Sequence, residues 1–491
     1  TQVSLGEIWG FIVGWNYFIG SIVSAAAIAR SSSEYIDSFL NEHANKFFAQ
    51  HMSYGNIKGL AEYPDFLAVF ILIFVLIFVV LGVWHSSVFI SIVTFVKLFV
   101  ILFMITVGIY FANPENWSTP EKFAPYGIPG IFAASAQCFY SFGGVDAVAM
   151  AAEEASDRQN PSRAIYLSLV VSIVVYITIS AVLTLMAPYS LLSKYAPLAE
   201  AYDKWAFSGA KYIVSVGALC ATLSALLVTC FLVTRVMFAM ANDGLLPVFF
   251  ASVNQSRQVP IRSAVFCGIL IAIATLLMDL HQLVELVSTA MIVSSILLLS
   301  GVILTRFQPG IQSVKFETAA DSNSKKGLSK CCPCIGAASV QTASSTATYQ
   351  PVPDLFNSIA EKDEDKALFQ SDCSEPNKKT NFIANACVTC VVVFTVVLCA
   401  LLRHGMAKLE QYEFWAIFST VILIILILIT LVILFRQPTN KAVFPSMVPC
   451  VPFVPLLSLV VNVTLLVNLS FWTYIRYAVC SMTGKLSKET S

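Results

Sequence analysis

One lysine, Lys97, sits in the middle of an otherwise apolar run, TFVKLFVILF. An ionisable side chain inside hydrocarbon costs about 2.5–3.5 kcal/mol on insertion scales, so its presence needs a reason. No acid stands at helical spacing from it, and the position is too deep for the amine to snorkel to water. Two readings stay open. Either Lys97 donates to carbonyls of a neighbouring helix as pure structure, or it is a desolvated amine that gains and loses a proton during a working cycle.

The stretch SFGGVDAVA carries a second anomaly, Asp146 beside Gly143 and Gly144. Each glycine weakens a helix by about 1 kcal/mol. Pro129 opens the segment and Glu153-Glu154 close it, so a split into two half-helices around Ser141–Gly144 is expected. A break at membrane depth is tolerated where the backbone lines a cavity. There, free N–H groups can meet a carboxylate and free carbonyls an ammonium. The competing reading is a glycine pair that lets two helices pack closely. Glu7 precedes Trp9 at the start of the first apolar run, as an interfacial acid complementing a helix dipole or as a working carboxylate. Glu153 and Glu154 lie close in sequence to Arg158 and Arg163, as a solvated salt-bridge cluster or as a cytosolic gate.

Other chemistries find little support. The five histidines are scattered, and neither HExxH, GxSxG nor a phosphate-cradling glycine loop occurs, which argues against enzyme activity. No cofactor is expected. Cys331, Cys332 and Cys334 in KCCPC lack a fourth ligand at zinc spacing, and fit reversible palmitoylation or an inert loop. Most of the remaining cysteines sit singly in apolar runs and read as packing residues. Zero net charge gives no footprint for nucleic acid.

The elements that position these residues are membrane helices. Hydrophobic residues make up 57% of the 491 and charged ones only 12%, about half the share in soluble proteins. Eleven runs reach spanning length: 8–29, 66–84, 87–111, 128–150, 165–187, 209–238, 263–279, 283–304, 381–402, 413–435 and 447–469. A twelfth, 471–483, is too short to span alone. Basic residues fall on both sides of the short loops and leave the orientation undecided. The polar segment 307–380, rich in Ser and Thr with eight lysines, reads as a disordered cytosolic loop. Asn116-Trp117-Ser118 is a glycosylation sequon on the opposite side. The expected organisation is a core over 1–306, the loop over 307–380, and C-terminal helices over 381–491, the last one incomplete.

GEIWGFIVGWN (6–16), SFGGVDAVAMAAEEASDRQNPSRAI (141–165), AKYIVSVGALCATLSALL (210–227), RVMFAMANDGLLP (235–247) and LTRFQP (304–309) follow one another in a familiar order. Together they resemble the cationic amino acid transporter branch of solute carrier family 7, in the amino acid–polyamine–organocation superfamily, over essentially the whole chain. The resemblance implies an all-α integral membrane fold of two inverted five-helix repeats with extra C-terminal helices. It implies substrate binding by Ser141, Phe142, Gly143, Gly144 and Asp146, with Ser224 and Thr229 as further lining, and a transport-associated role for Glu7. Proton-coupled bacterial relatives carry a lysine at the position of Lys97, so proton symport is one implied option.

The resemblance also implies that the family's first two helices are absent, so that this chain alone is expected not to transport although its parent would. The implied activity is movement of cationic amino acids (arginine, lysine or ornithine) by alternating access across the lipid bilayer, with a proton as coupling partner. A neutral amino acid permease and a non-transporting amino-acid-binding or regulatory protein are the rival readings. A channel is disfavoured because no pore-loop repeat or ring of acids occurs. The plasma membrane is the default location, and lysosomal or vacuolar membranes are alternatives.

Overall fold

The computed structural model describes residues 7–40, 43–53, 55, 60–81, 83–144, 148, 160–192, 196–207, 209–254, 259–308, 378–410, 414–438, 453–469 and 472–478. Among these residues the chain is helical, with one isolated β-bridge and no strand. The main helices are α1 (Glu7–Phe39), α2 (Phe66–Leu81), α3 (Val83–Tyr110), α4 (Gly127–Cys138), α5 (Asn160–Met186), α6 (Ala210–Asn242), α7 (Ile261–Leu277), α8 (Leu280–Thr305), α9 (Lys378–Glu410), α10 (Phe414–Phe435) and α11 (Phe453–Val467). A short tail helix, α12 (Trp472–Ala478), is bent 107° from α11. Seven of the described helices are long and apolar enough to cross a membrane, or eight if the bent pair forms one span. The chain is an all-α, multi-span membrane protein.

Why these runs are helices is clearest in α10, FWAIFSTVILIILILITLVILF. Its β-branched residues favour strands in water. In hydrocarbon every backbone N–H and C=O must be satisfied within the protein, and a helix does so inside one segment. The solvent therefore overrides the propensity. Many of its side chains, such as Ile424, Leu428 and Val432, remain exposed on a face suited to lipid.

The bundle is centred on α1, which packs chiefly against α6 and α8 and also against α7 and α2. Ala25, Ala26, Ala27 and Ala29 are all buried on α1. Such small side chains let helix axes approach closely where van der Waals packing must replace the hydrophobic drive that lipid removes. Leu226, Leu227 and Val233 of α6 and Leu283, Leu286 and Val287 of α8 complete that core.

Helix α1 runs ten residues beyond the expected end at 29. The extension carries Arg30, Ser32, Ser33 and Asp37, all buried. It stays helical because its polar groups find partners: Ser32 donates to the Ile28 carbonyl and Ser33 to Asp65 Oδ1. Asp65 in turn accepts the Ala68 N–H at the start of α2. At the other extreme, α4 stops at Cys138, far short of the apolar run that contains it. A 3-10 turn, Phe139–Phe142, follows, and then a turn at Gly143 and Gly144.

Candidate functional site

The end of α4 opens into a cavity of about 600 Å³, walled by α1, α3, α5, α6, α8 and the 139–144 turn. That size suits a small organic molecule. Gly144 has φ +108°, a backbone conformation that side chains with a Cβ rarely adopt. At Gly143 an added Cβ would come within 3.0 Å of Met291 Cε on α8 and 3.2 Å of the Tyr140 carbonyl oxygen. The two glycines thus serve separate ends, one a turn and the other a close approach.

Tyr176 on α5 donates its hydroxyl to the Ser141 carbonyl at 2.9 Å, and its ring meets Phe142 edge-on with centroids 5.5 Å apart. A carbonyl released from the helix ladder is thereby held by a side chain from another helix. On α1, Asn16 donates through Nδ2 to the Ala290 carbonyl at 2.7 Å and to Ser294 Oγ at 2.5 Å. Tyr140 is hydrogen-bonded with Ser24. With Ile28 and Ala225, it also borders a second, smaller cavity of about 330 Å³ that reaches Leu280 at the start of α8.

Ser141, Phe142, Gly143, Gly144, Ser224, Thr229 and Lys97 all line the larger cavity. Both α6 hydroxyls are engaged with their own helix, Ser224 with the Ala221 carbonyl and Thr229 with that of Ala225, each at 2.9 Å. They reach the cavity as acceptors. Lys97 is half-buried and is the only charged side chain among the described lining residues. Among the described residues no acid or carbonyl pairs with its ammonium. An unpaired cation in a low-dielectric wall is a strong attractor for a carboxylate, or a proton donor when its charge is unsupported.

Several expected residues are not brought into this picture. Asp146, Glu153, Glu154, Arg158 and the cysteines 331, 332 and 334 lie outside the described residues. Glu7 opens α1, but its side chain is likewise outside them. Asn116 sits in the 3-10 turn Pro114–Trp117 and donates its side-chain amide to the Leu185 carbonyl at 2.6 Å. The site also contains residues that the sequence reading passed over, chiefly Asn16, Tyr140, Tyr176 and Ser294. Each is a polar group inside an apolar run, a signal present in the sequence but weak, because hydroxyls in membrane helices are commonly satisfied by their own backbone.

A family model for amino acid permeases matches residues 1–338, and a second, for the C-terminus of AA_permease, matches 447–487. The chain belongs to the amino acid permease family. It is 32% identical to cationic amino acid transporter 4 of Mus musculus over 99% of this chain and 74% of that protein. A vacuolar cationic amino acid transporter 4 of Arabidopsis thaliana is 27% identical over 99% of this chain and 79% of its own length. A mitochondrial cationic amino acid transporter 3 of the same plant is 26% identical, with 99% and 77% covered. Permeases are transporters and not enzymes. The cavity at the end of α4 is therefore the candidate passage of a permease.

Proposed function

We propose that this permease moves cationic amino acids across a membrane by alternating access, with Lys97 coupling the movement to protons. The observation that carries this reading is the meeting of the α4 break and Lys97 in one cavity roomy enough for an amino acid. An amino acid brings a carboxylate, an ammonium and a side chain. The carboxylate finds N–H donors at the 141–144 turn and the nearby lysine. The ammonium finds carbonyl oxygens of the same turn, including that of Ser141 when Tyr176 lets go of it. A cationic side chain asks for an acid, a role that falls to Asp146, with Glu7 as a transport-associated acid.

In the coupled cycle the Lys97 ammonium releases a proton to the side of lower proton activity and regains one from the other. Glu153, Glu154 and Arg158 serve as the cytosolic gate. Residues 1–306 form the transporting core and 307–380 the cytosolic loop, where Cys331, Cys332 and Cys334 are palmitoylation sites. Residues 381–491 supply the accessory C-terminal helices. Asn116 is the glycosylation site, and the plasma membrane is the proposed address. The names of the relatives support the cationic substrate.

Neutral amino acids are a second reading, favoured by one observation: the described cavity lining contains a cation and no acid. Uptake of labelled arginine and alanine into proteoliposomes by the parent protein, with the family's first two helices present and with and without an inward proton gradient, separates the readings. Saturable arginine uptake that the gradient strengthens and Lys97→Ala abolishes is the expected result. Alanine preferred to arginine selects the neutral permease. Arginine uptake indifferent to the gradient and to Lys97 removes the proton from the mechanism. Binding of either amino acid, seen as a thermal shift, without any uptake selects a non-transporting binding protein.

A further inference from the structure

The tail helix α12 lies far along the chain from the cavity, yet its polar face ends on the cavity wall. Thr473 and Tyr477 are four residues apart and so share one face of the helix. Trp472 and Ile475 are exposed. The turn that redirects the chain from α11 into α12 is held by Arg403 of α9, which donates to the Leu469 carbonyl at 2.9 Å and also to that of Val467. Tyr474 donates back to the Leu466 carbonyl. Leu465 and Leu469 pack with Ala136 of α4 and Ile292 of α8.

Thr473 is fully buried and donates to Glu285 Oε2 on α8 at 2.5 Å. Glu285 also faces His281 one turn away, at 3.9 Å. Tyr477 donates its hydroxyl to Asn16 Oδ1 at 2.6 Å. The Ala290 carbonyl can only accept, so the nitrogen of Asn16 points at α8, donating to Ala290 and Ser294, and its oxygen is left to accept from Tyr477. Asn16, Ala290 and Ser294 are themselves cavity wall. An amide has two nearly isosteric ends. The Ala290 carbonyl, an acceptor only, keeps the nitrogen end on α8; without Tyr477 on its oxygen the amide is anchored at that end alone and can swing away from Ser294.

We propose that α12 is a positioning element of the transport cavity: Tyr477 anchors the oxygen of Asn16 while the Ala290 carbonyl anchors its nitrogen, which together close the wall between α1 and α8, and Thr473 on Glu285 holds the helix in register. This role rests on the cavity being the amino acid site. Tyr477 touches no cavity space among the described lining residues and acts through Asn16. The C-terminal segment is thus joined to the substrate path by a chain of hydrogen bonds and packing, not merely appended to it.

The test is Tyr477→Phe in the parent protein, which keeps the ring and removes one hydroxyl. Two readouts separate this inference from the functional reading. The first is the rate at which a small charged thiol reagent modifies Thr229→Cys, corrected for the native cysteines, with Tyr or Phe at 477. Loosening of the wall should raise that rate about three- to tenfold, the equivalent of one lost hydrogen bond. The second is arginine uptake, where the half-saturating concentration should rise by a similar factor while maximal rate and protein abundance stay within about twofold. Adding Asn16→Ala should make Tyr477→Phe silent, because the two act in series. An unchanged labelling rate, or additive effects of the two substitutions, overturns the positioning role. A changed labelling rate in a protein that takes up no amino acid keeps the tail coupling and sinks the transport reading.

Discussion

Two of the cations within the described helices, Arg30 and Lys97, are treated in opposite ways. Arg30 on α1 is 4% exposed and has all its faces occupied. Its Nε donates to the Thr275 carbonyl at 2.9 Å, its Nη2 to that of Tyr63 at 3.0 Å, and its Nη1 meets Asp279 at 3.3 Å. One guanidinium thus ties α1 to the end of α7, the start of α8 and the segment before α2. Lys97 on α3 is half-buried in a cavity wall, with no acid or carbonyl beside it among the described residues. A planar fork of five donors is suited to stapling carbonyls, while a single ammonium on a flexible stem is suited to binding and releasing. The difference between a structural and a working charge in a membrane is how completely its hydrogen bonds are already spent.

Arg30→Ala puts the structural side of this contrast at risk. It strips two carbonyls and a carboxylate of their donor, and the protein should lose about 2–4 kcal/mol of stability. Thermal unfolding in detergent reads this, and Arg30→Lys should recover only part. An unshifted melting curve would mean that Arg30 is no staple.

Lys97→Met tests the other side. Removing a charge that no described residue pairs should leave the melting curve unchanged or raise it, while proton-driven uptake falls at least about tenfold, some 1.4 kcal/mol. A large loss of stability would make Lys97 a structural residue and erase the contrast.

A smaller effect is expected from Gly144→Ala. The site has open space for a methyl group, so the cost is backbone strain at φ +108°, about 1–2 kcal/mol. A neutral outcome would show that the turn relaxes and does not define the cavity.

The smallest effect concerns Asp65, at the Arg30 end and outside the spans. Burial pushes its carboxyl above the usual range, against the opposing pull of the Ala68 N–H, Arg30 and Ser33, with Asp37 adding to the rise. The folded state then holds this proton more tightly than the unfolded one. Its contribution to stability is therefore greatest in acid and declines as pH rises from the ordinary carboxylate range upward. Asp65→Asn keeps an acceptor for Ala68 and should flatten that decline. Melting temperatures between about pH 4.5 and 7.5 would check it. An unchanged slope would place the titration elsewhere.

Much of this was legible along the chain because membrane burial is a local property. Twenty apolar residues announce a span whatever surrounds them, and Gly143-Gly144 announces a weak point in one. Lys97 stood out for the same reason, since its cost depends on depth alone. Tyr176 and Asn16 did not stand out, because a hydroxyl or amide in a membrane helix is cheap when its own backbone accepts it. Only a neighbour's position reveals that these two bond elsewhere. The end of α1 lies beyond the apolar run for a related reason. Ser31 to Asp37 reads as a loop until Asp65 and the partners of Arg30 are brought beside it.

The amino-acid sequence by itself determined the helical membrane class, the interrupted helix before Gly144 and the odd lysine, since each follows from the price of polar groups in hydrocarbon. The tertiary structure alone decided that the break and the lysine share one cavity, that Tyr176 holds the Ser141 carbonyl, and that Tyr477 reaches Asn16 across 461 residues. Those facts depend on how helices are arranged around one another. Hydropathy cannot encode that arrangement, because every helix face that lipid accepts looks alike until a partner covers it.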